Sequence, residues 1–370
     1  MRIIQITPEF PPDCGGIGYY VYSLSTELIR AGMDIFVIVR GRKDREYIYK
    51  NIKIREISVP GIPPFNLPLF RRKLSAVLST KKKDIIHIHS SSMPSINDAG
   101  PVIATAHMCM KESIPIFYRP IRDIDALYRN FFFLLYVHFE KKLVRSCNKL
   151  TVVSNSLRDQ FKRYYDAESD VINNAVDVDT FKKDATQKAN MLLFIGMFRV
   201  GKGILDILKI AELLKTNHPK VKIVLIGHGP LRTTVERRIS KKNLFNIEVR
   251  EYLSHPDIAQ LYRQASIFIL PSYYESMPNT ILEAMATELP VVSSNVYGIP
   301  ELVTEGVTGY MITPGDREGF YRRIVELTED AKKQKRFGEM ARRKVLERFT
   351  WPAITQNIIL IYKDLSSANK

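Results

Sequence analysis

A chain of 370 residues, 45% hydrophobic and 25% charged, is longer than one core usually serves, so two folded domains are expected and a disordered chain is excluded. Lysine and arginine number 55 against 39 acidic residues, a formal charge of +16, which points to an anionic partner: nucleic acid, an anionic membrane face or a phosphorylated substrate. The three cysteines Cys14, Cys109 and Cys147 show neither CxxC pairing nor zinc spacing, which argues against a disulfide framework and suits a reducing, cytoplasmic compartment.

The opening "MRIIQITPEFPP" reaches prolines and a glutamate too soon for a secretory apolar region. The longest apolar run, "FFFLLYV" at 131–137, is too short to span a bilayer, so the protein is expected to be soluble or peripheral. A strand "RIIQIT" is followed by a glycine loop "PDCGGIG", a helical run "YYVYSLSTELIRAG" closed by Gly32, and a strand "DIFVIV". Further strands recur at "DIIHIHS", "PVIATAH" and "KLTVVS", which is the alternation of a doubly wound parallel sheet. The tract at 172–190 is polar and turn-rich, and reads as a linker. The same pattern then restarts at "MLLFIGMFRVGKGILDILKIAELLK" and continues through "KIVLIGHGP", "NIEVREYL", "SIFILPS" and "LPVVSSN". A final helix, "FTWPAITQNIILIYKDL", lies beyond the last strand. The fold class is therefore α/β, with two doubly wound, Rossmann-like domains expected to face a central cleft, and ligands expected beyond the carboxyl ends of the strands.

Those strand ends hold the candidate residues. Gly15, Gly16 and Gly18 lie between the first strand and its helix, where they form either a tight turn or a phosphate-facing loop. The loop lacks the G-x-G-x-x-G order and the second strand ends in the basic "VRGR", so a nicotinamide cofactor is not expected. In the second half, Arg199 and Lys202 of "GMFRVGKG" suit either a diphosphate or a solvated basic loop. Gly227 and Gly229 close the next strand, as a turn or as a close approach for a nucleotide. His89 and His107 end neighbouring strands; His87 and His89 alternate without a third ligand, so no metal is expected there. The D-x-D pairs Asp123/Asp125 and Asp177/Asp179 do not end strands and are set aside as metal sites. In "PSYYESMPNTILEAMA", Pro278 suits a helix's first turn, with Glu275 in the loop before it and Glu283 about a turn inside. The backbone from Ser276 through Met277 and Pro278 to Asn279 offers orphan amide donors at that helix start. Acceptors and donors together suit a ligand with hydroxyls and phosphates. No zinc-finger spacing, aromatic ribonucleoprotein motif or helix-turn-helix signature is present, which lowers the nucleic-acid reading.

The segments "GGIG", "ATAH", "LTVVSNSLRDQF", "VINNAVDVDTF", "FIGMFRVGKG", "LIGHGP" and "PSYYESMPNTILEAMATELPVVSSNVYGIPELVTEGVTGYMITPGD" resemble family 4 of the retaining glycosyltransferases, of GT-B fold, along nearly the whole chain. The resemblance implies an acceptor-binding domain over 1–175, a nucleotide-sugar-binding domain over 176–349, and a helix at 350–370 packing back on the first. It implies that Glu283 holds the ribose hydroxyls and Glu275 a hydroxyl of the donor sugar. Arg199, Lys202 and the Gly15-Gly16 loop would hold the diphosphate, with Gly229 also at the donor, and His107 would touch the transferred sugar. Met197 stands where the family often has arginine, Ala175 replaces a usual glycine, and Glu288 replaces another before "LPVV". The implied reaction is same-face, metal-independent transfer from a nucleotide-diphosphate sugar, UDP-sugar before GDP-mannose, to a glycan or lipid-linked acceptor. No cofactor and no nucleic acid are implied. A phosphorylase or a nucleotide-sugar epimerase on the same fold is the alternative. The basic, proline- and aromatic-containing stretch at 60–83 would either dock on an anionic membrane surface, on the inner face of the cell membrane, or form an ordinary helix with a solvated face.

Overall fold

In the computed structural model, the strand β1 (Arg2–Thr7) is buried at every position after Arg2, as a strand covered on both faces must be. The structure describes all residues except 13, 61–65, 79–83, 91–92, 97–99, 118–122, 185–189, 252–254 and 368–370; at 117, 123–131 and 255–256 it describes the backbone alone. Two units are present, Met1–Ile114, Pro120–Asn174 and Trp351–Lys370 in the first, Pro115–Arg119 and Ala175–Thr350 in the second.

In the first unit β1 leads into α1 (Gly16–Arg30), which ends in a Schellman motif. Gly32 adopts φ +80°, and its amide donates to the Ile29 carbonyl while that of Met33 donates to Leu28 at 3.0 Å. The unit continues through β2 (Asp34–Gly41), β3 (Arg45–Tyr49), β4 (Ile52–Ser58), α2 (Leu67–Leu78), β5 (Ile85–His89), β6 (Val102–Ala106), the first part of α3 (Met110–Phe117, which from Pro115 on falls in the second unit), α4 (Asp123–Ser146), β7 (Lys149–Val152), α5 (Asn155–Tyr165) and β8 (Asp170–Val171). The strands form one sheet in the order β3-β4-β2-β1-β5-β6-β7-β8, parallel except for the β3-β4 hairpin. That hairpin is an addition to the sequence reading. Its turn residues Lys50 and Asn51 take φ 46° and 69°, the left-handed pair of a tight hairpin turn.

The second unit comprises β9 (Met191–Ile195), a 3-10 turn at Val200–Lys202, α6 (Ile204–Asn217), β10 (Lys222–Ile226), α7 (Arg232–Lys241), β11 (Ile247–Arg250), α8 (His255–Gln264), β12 (Ile267–Leu270), α9 (Asn279–Ala286), β13 (Val291–Ser294), α10 (Ile299–Leu302), β14 (Gly309–Ile312), α11 (Arg317–Glu329) and α12 (Ala331–Arg348). Its all-parallel sheet runs β11-β10-β9-β12-β13-β14, the order of a dinucleotide-binding fold. Strand order reverses between β9 and β12 here, and between β1 and β5 in the first sheet. These reversals are the places where loops diverge and leave room for ligand.

The last helix, α13 (Trp351–Ser367), belongs to the first unit and packs against α1. Trp351 lies 5.2 Å from the Tyr20 ring, and the buried Tyr362 hydroxyl is 2.6 Å from His87 Nδ1. His87 Nε2 is in turn 2.6 Å from Thr105 Oγ1, so both ring nitrogens serve the core.

Candidate active site

The second unit's candidate residues converge on the loops that follow β9 and β12, at the reversal of its sheet. The two loops are stitched together. The Tyr273 amide donates to the Gly201 carbonyl at 2.8 Å, and Gly203, at φ +68°, lies so close that an added Cβ would be 2.0 Å from the Pro271 carbonyl oxygen. Lys202 Nζ then donates to Glu275 Oε1 at 2.6 Å, and Ser272 Oγ donates to the same oxygen at 2.8 Å. Glu275 is 7% exposed at its side chain and Lys202 22%, so the pair is formed largely out of water. A carboxylate has about four lone-pair positions, so Glu275 keeps capacity for a ligand beside this pairing. Asp206 on α6 supports the arrangement, accepting from the Tyr273 hydroxyl at 2.9 Å and from Arg317 Nε at 2.7 Å.

Glu283 lies on the inner turn of α9. Burial pushes its carboxyl up to about 7, with the hydrogen bond from the Tyr262 hydroxyl, at 2.9 Å, acting in the opposite direction. The helix starts at Asn279, and Pro278 is its N-cap, one residue earlier than the first-turn position expected for it. Proline has no N–H, so of the four positions expected to donate, only Ser276, Met277 and Asn279 carry an amide hydrogen. Asn279 Oδ1 is buried and has no protein partner among the described residues, a further acceptor at this helix start. Arg199 is half-buried at the N-cap of the 3-10 turn. Gly229, at φ +148°, abuts the Phe198 backbone, where a Cβ would stand 2.8 Å from the carbonyl oxygen. Its glycine is required by the seating of the β9 loop.

In the first unit Gly15 and Gly16 are exposed, whereas Gly18 is buried against Cys14. The carboxylate of Glu9 accepts from the Gly18 amide at 3.1 Å, so the chain supplies its own anion to the first turn of α1. His107 follows β6, with its ring edge-on to Tyr20 at 4.7 Å. Burial pulls its pKa down to about 4, which leaves a neutral imidazole at neutral pH, and its Nε2 has no protein partner among the described residues. The loop that carries it is held by Glu140 of α4, a fully buried carboxylate that accepts from the Met110 amide at 3.0 and 3.1 Å and from the Tyr165 hydroxyl.

The acid pairs set aside as metal sites need little more. Asp177 caps a turn, accepting from the amides of Asp179 and Thr180 at 3.0 and 3.1 Å; the side chains of Asp123 and Asp125 lie outside the described residues. Among the described residues no cluster of three metal-ligating side chains is present. The cysteines are free thiols, and burial raises Cys109 to about 12 and Cys147 to about 11. Glu9, Glu140, Asp206, Tyr262 and Ser272 were not singled out in the sequence. Only Glu9, two residues past a strand end in "TPEFPP", carried a local signal.

Two family models match: "Glycosyltransferase Family 4" over residues 14–180 and "Glycosyl transferases group 1" over residues 176–344. The chain is similar to N-acetyl-alpha-D-glucosaminyl L-malate synthase of Bacillus anthracis, 27% identical over 97% of this chain and 96% of that protein. Among solved structures it resembles sucrose-phosphate synthase from Thermosynechococcus elongatus, with a TM-score of 0.85 at 20% identity, covering 100% of both chains. It also resembles Anabaena HepE in complex with UDP-glucose, with a TM-score of 0.76 at 15% identity over 98% of this chain and 100% of that one. The fold is that of the GT-B glycosyltransferases, and the chain belongs to glycosyltransferase family 4.

Proposed function

We propose that the protein moves a sugar from a UDP-sugar to a hydroxyl of a glycan or lipid-linked acceptor with retention of anomeric configuration. The observation that carries this reading is the stitched pair of loops in the second unit, with the Lys202–Glu275 ion pair beside the uncapped start of α9 and Glu283 one turn on. In this reading Glu283 accepts from the ribose hydroxyls and Glu275 from a donor-sugar hydroxyl. Lys202, Arg199 and the amides of Ser276, Met277 and Asn279 face the diphosphate. Rupture of the bond between the anomeric carbon and phosphate oxygen places negative charge on the diphosphate, where fixed cations and oriented amides stabilise it. The acceptor oxygen bonds to the anomeric carbon on the same face, and its proton passes to the departing phosphate oxygen. The neutral His107 suits a sugar hydroxyl as donor or acceptor, and the amides of Gly15 and Gly16, beside the Gly18 amide that Glu9 takes, would serve the phosphate in this reading. UDP is preferred over GDP because HepE, of the same fold, was solved with UDP-glucose.

A membrane-proximal acceptor is the further part of the reading. Of the segment at 60–83, residues 61–65 and 79–83 lie outside the described residues, and α2 buries Leu67, Phe70, Leu74 and Leu78, so its aromatic ring is core. On α4, by contrast, none of the eight residues from Phe132 to Phe139 is buried; Leu134 is 65% exposed, and the exposed cations Lys141, Lys142 and Arg145 follow. An unburied apolar stretch next to cations fits an anionic lipid surface. Among the described residues no helix is long and apolar enough to cross a membrane.

The test is a donor screen on the full chain with UDP-glucose, UDP-N-acetylglucosamine and GDP-mannose, reading melting temperature and nucleotide release. A UDP-sugar should stabilise the fold and be turned over slowly to UDP, and Lys202→Ala should lower turnover about hundredfold or more. Stabilisation by GDP-mannose alone overturns the donor assignment. Normal turnover in Lys202→Ala overturns the site.

A further inference from the structure

Arg40 is the penultimate residue of β2, one position past the Val39–Thr7 pairing, at the carboxyl ends of the first sheet's strands. Arg40 is half-buried and makes no ion pair or hydrogen bond among the described residues, so its donors are open to water or to a ligand. The acids on β3, on β4 and just before β3 are taken. Glu56 accepts from Arg45 Nε at 2.6 Å and from the amides of Arg42 and Lys43; Asp44 is held by Lys73 at 2.9 Å; Glu46 faces Arg55 at 3.4 Å. Glu9 accepts from the Gly18 amide and acts on Arg40 by charge, without forming an ion pair with it. Burial lowers the pKa of Arg40, and the remaining influences on it, Tyr136 of α4 and then Glu9, are acidic groups that raise it. A half-buried arginine with its fork uncommitted is suited to bidentate capture of a carboxylate or phosphate.

We propose that Arg40 binds an anionic group, carboxylate or phosphate, on the acceptor, so that the enzyme selects acceptors carrying that charge near the receiving hydroxyl. Glu9, close to Arg40 on the β1 loop, accepts a hydroxyl of the same molecule and repels an anion placed directly on it. The proposal rests on the transferase reading for the word acceptor; the anion site itself stands on the first unit alone.

The test titrates the full chain with sn-glycerol 3-phosphate, succinate and glycerol, and separately with UDP-glucose. Wild type, Arg40→Ala, Arg40→Lys and Arg42→Ala are compared, the last removing an exposed neighbouring charge. At least one of the two anions binds wild type, and which one binds identifies phosphate or carboxylate as the group recognised; glycerol does not bind. Arg40→Ala weakens that anion about ten- to hundredfold, Arg40→Lys weakens it less, and Arg42→Ala leaves it unchanged. UDP-glucose affinity is the same in all four proteins. The proposal is overturned if neither anion binds wild type, if Arg42→Ala costs as much as Arg40→Ala, or if Arg40→Ala weakens UDP-glucose equally, which would place Arg40 at the donor. An anion response without any response to UDP-glucose defeats the transferase reading and leaves the Arg40 site standing.

Discussion

If Glu283 receives the ribose hydroxyls as proposed, donor binding should depend on pH. In the folded protein without ligand, burial raises its carboxyl from the ordinary 4.5 to about 7. Between those values the folded state keeps a proton that the unfolded chain has released, so this group's contribution to stability is present at low pH and is lost as pH rises through about 7. By linkage the change is on the order of 3 kcal/mol. In the proposed reading donor binding runs the other way, because ribose hydroxyls would donate to the ionised carboxylate and binding would have to expel the proton. With a carboxyl near 7, affinity for UDP-glucose should be about tenfold weaker at pH 6 than at pH 8. UDP-glucose is the probe of choice because its diphosphate diester does not titrate in that range, whereas the terminal phosphate of UDP does. Calorimetric titration in two buffers of different ionisation heat should count close to one proton released near pH 6 and almost none near pH 8. Glu283→Gln should show no proton release and bind about ten- to hundredfold more weakly at pH 8, through the loss of charge-assisted hydrogen bonds. A flat wild-type profile, or the same slope retained in Glu283→Gln, refutes both the assignment and the electrostatic reasoning.

Gly203→Ala should destabilise the fold by more than about 2 kcal/mol in urea unfolding, because a side chain is forced into φ +68° and against the Pro271 carbonyl, and it should lower turnover by displacing Lys202. Glu140→Gln keeps the shape at α3 but removes the charge that receives the Met110 amide; steady-state kinetics should show a lower kcat with the donor KM unchanged, and an equal change in both would contradict its role under the His107 loop. Leu134→Glu should abolish flotation with vesicles of anionic lipid while leaving melting temperature within about a degree, and unchanged flotation removes α4 as the docking element.

The parallel strands were legible in the sequence because they read as continuous apolar runs, such as "MLLFI" of β9, and because helical segments alternate with them, after a glycine loop at β1 and β9. The β3-β4 hairpin was not, since its residues alternate with Arg45, Glu46, Lys53, Arg55 and Glu56, and a half-solvated edge shows little apolar signal. Candidate residues were legible by type and by distance from a strand end, which located Lys202, Glu275 and Glu283. What they do to one another was not. Glu275 and Glu283 are alike in sequence, yet one is met by an ammonium and a serine hydroxyl while the other is met by a tyrosine hydroxyl in a desolvated turn. That contrast depends on Ser272 and Tyr262, which reach the two carboxylates from different elements. Spacing along the chain can therefore nominate a pair of acids, but only the packing around each decides which one can carry a proton at neutral pH and which can steady a cation. The same logic applies to Arg40, whose sequence context is a crowd of basic residues. It is distinguished from Arg42, Arg45 and Arg55 by half-burial together with the lack of an ion pair or hydrogen bond among the described residues, and both properties arise from the fold.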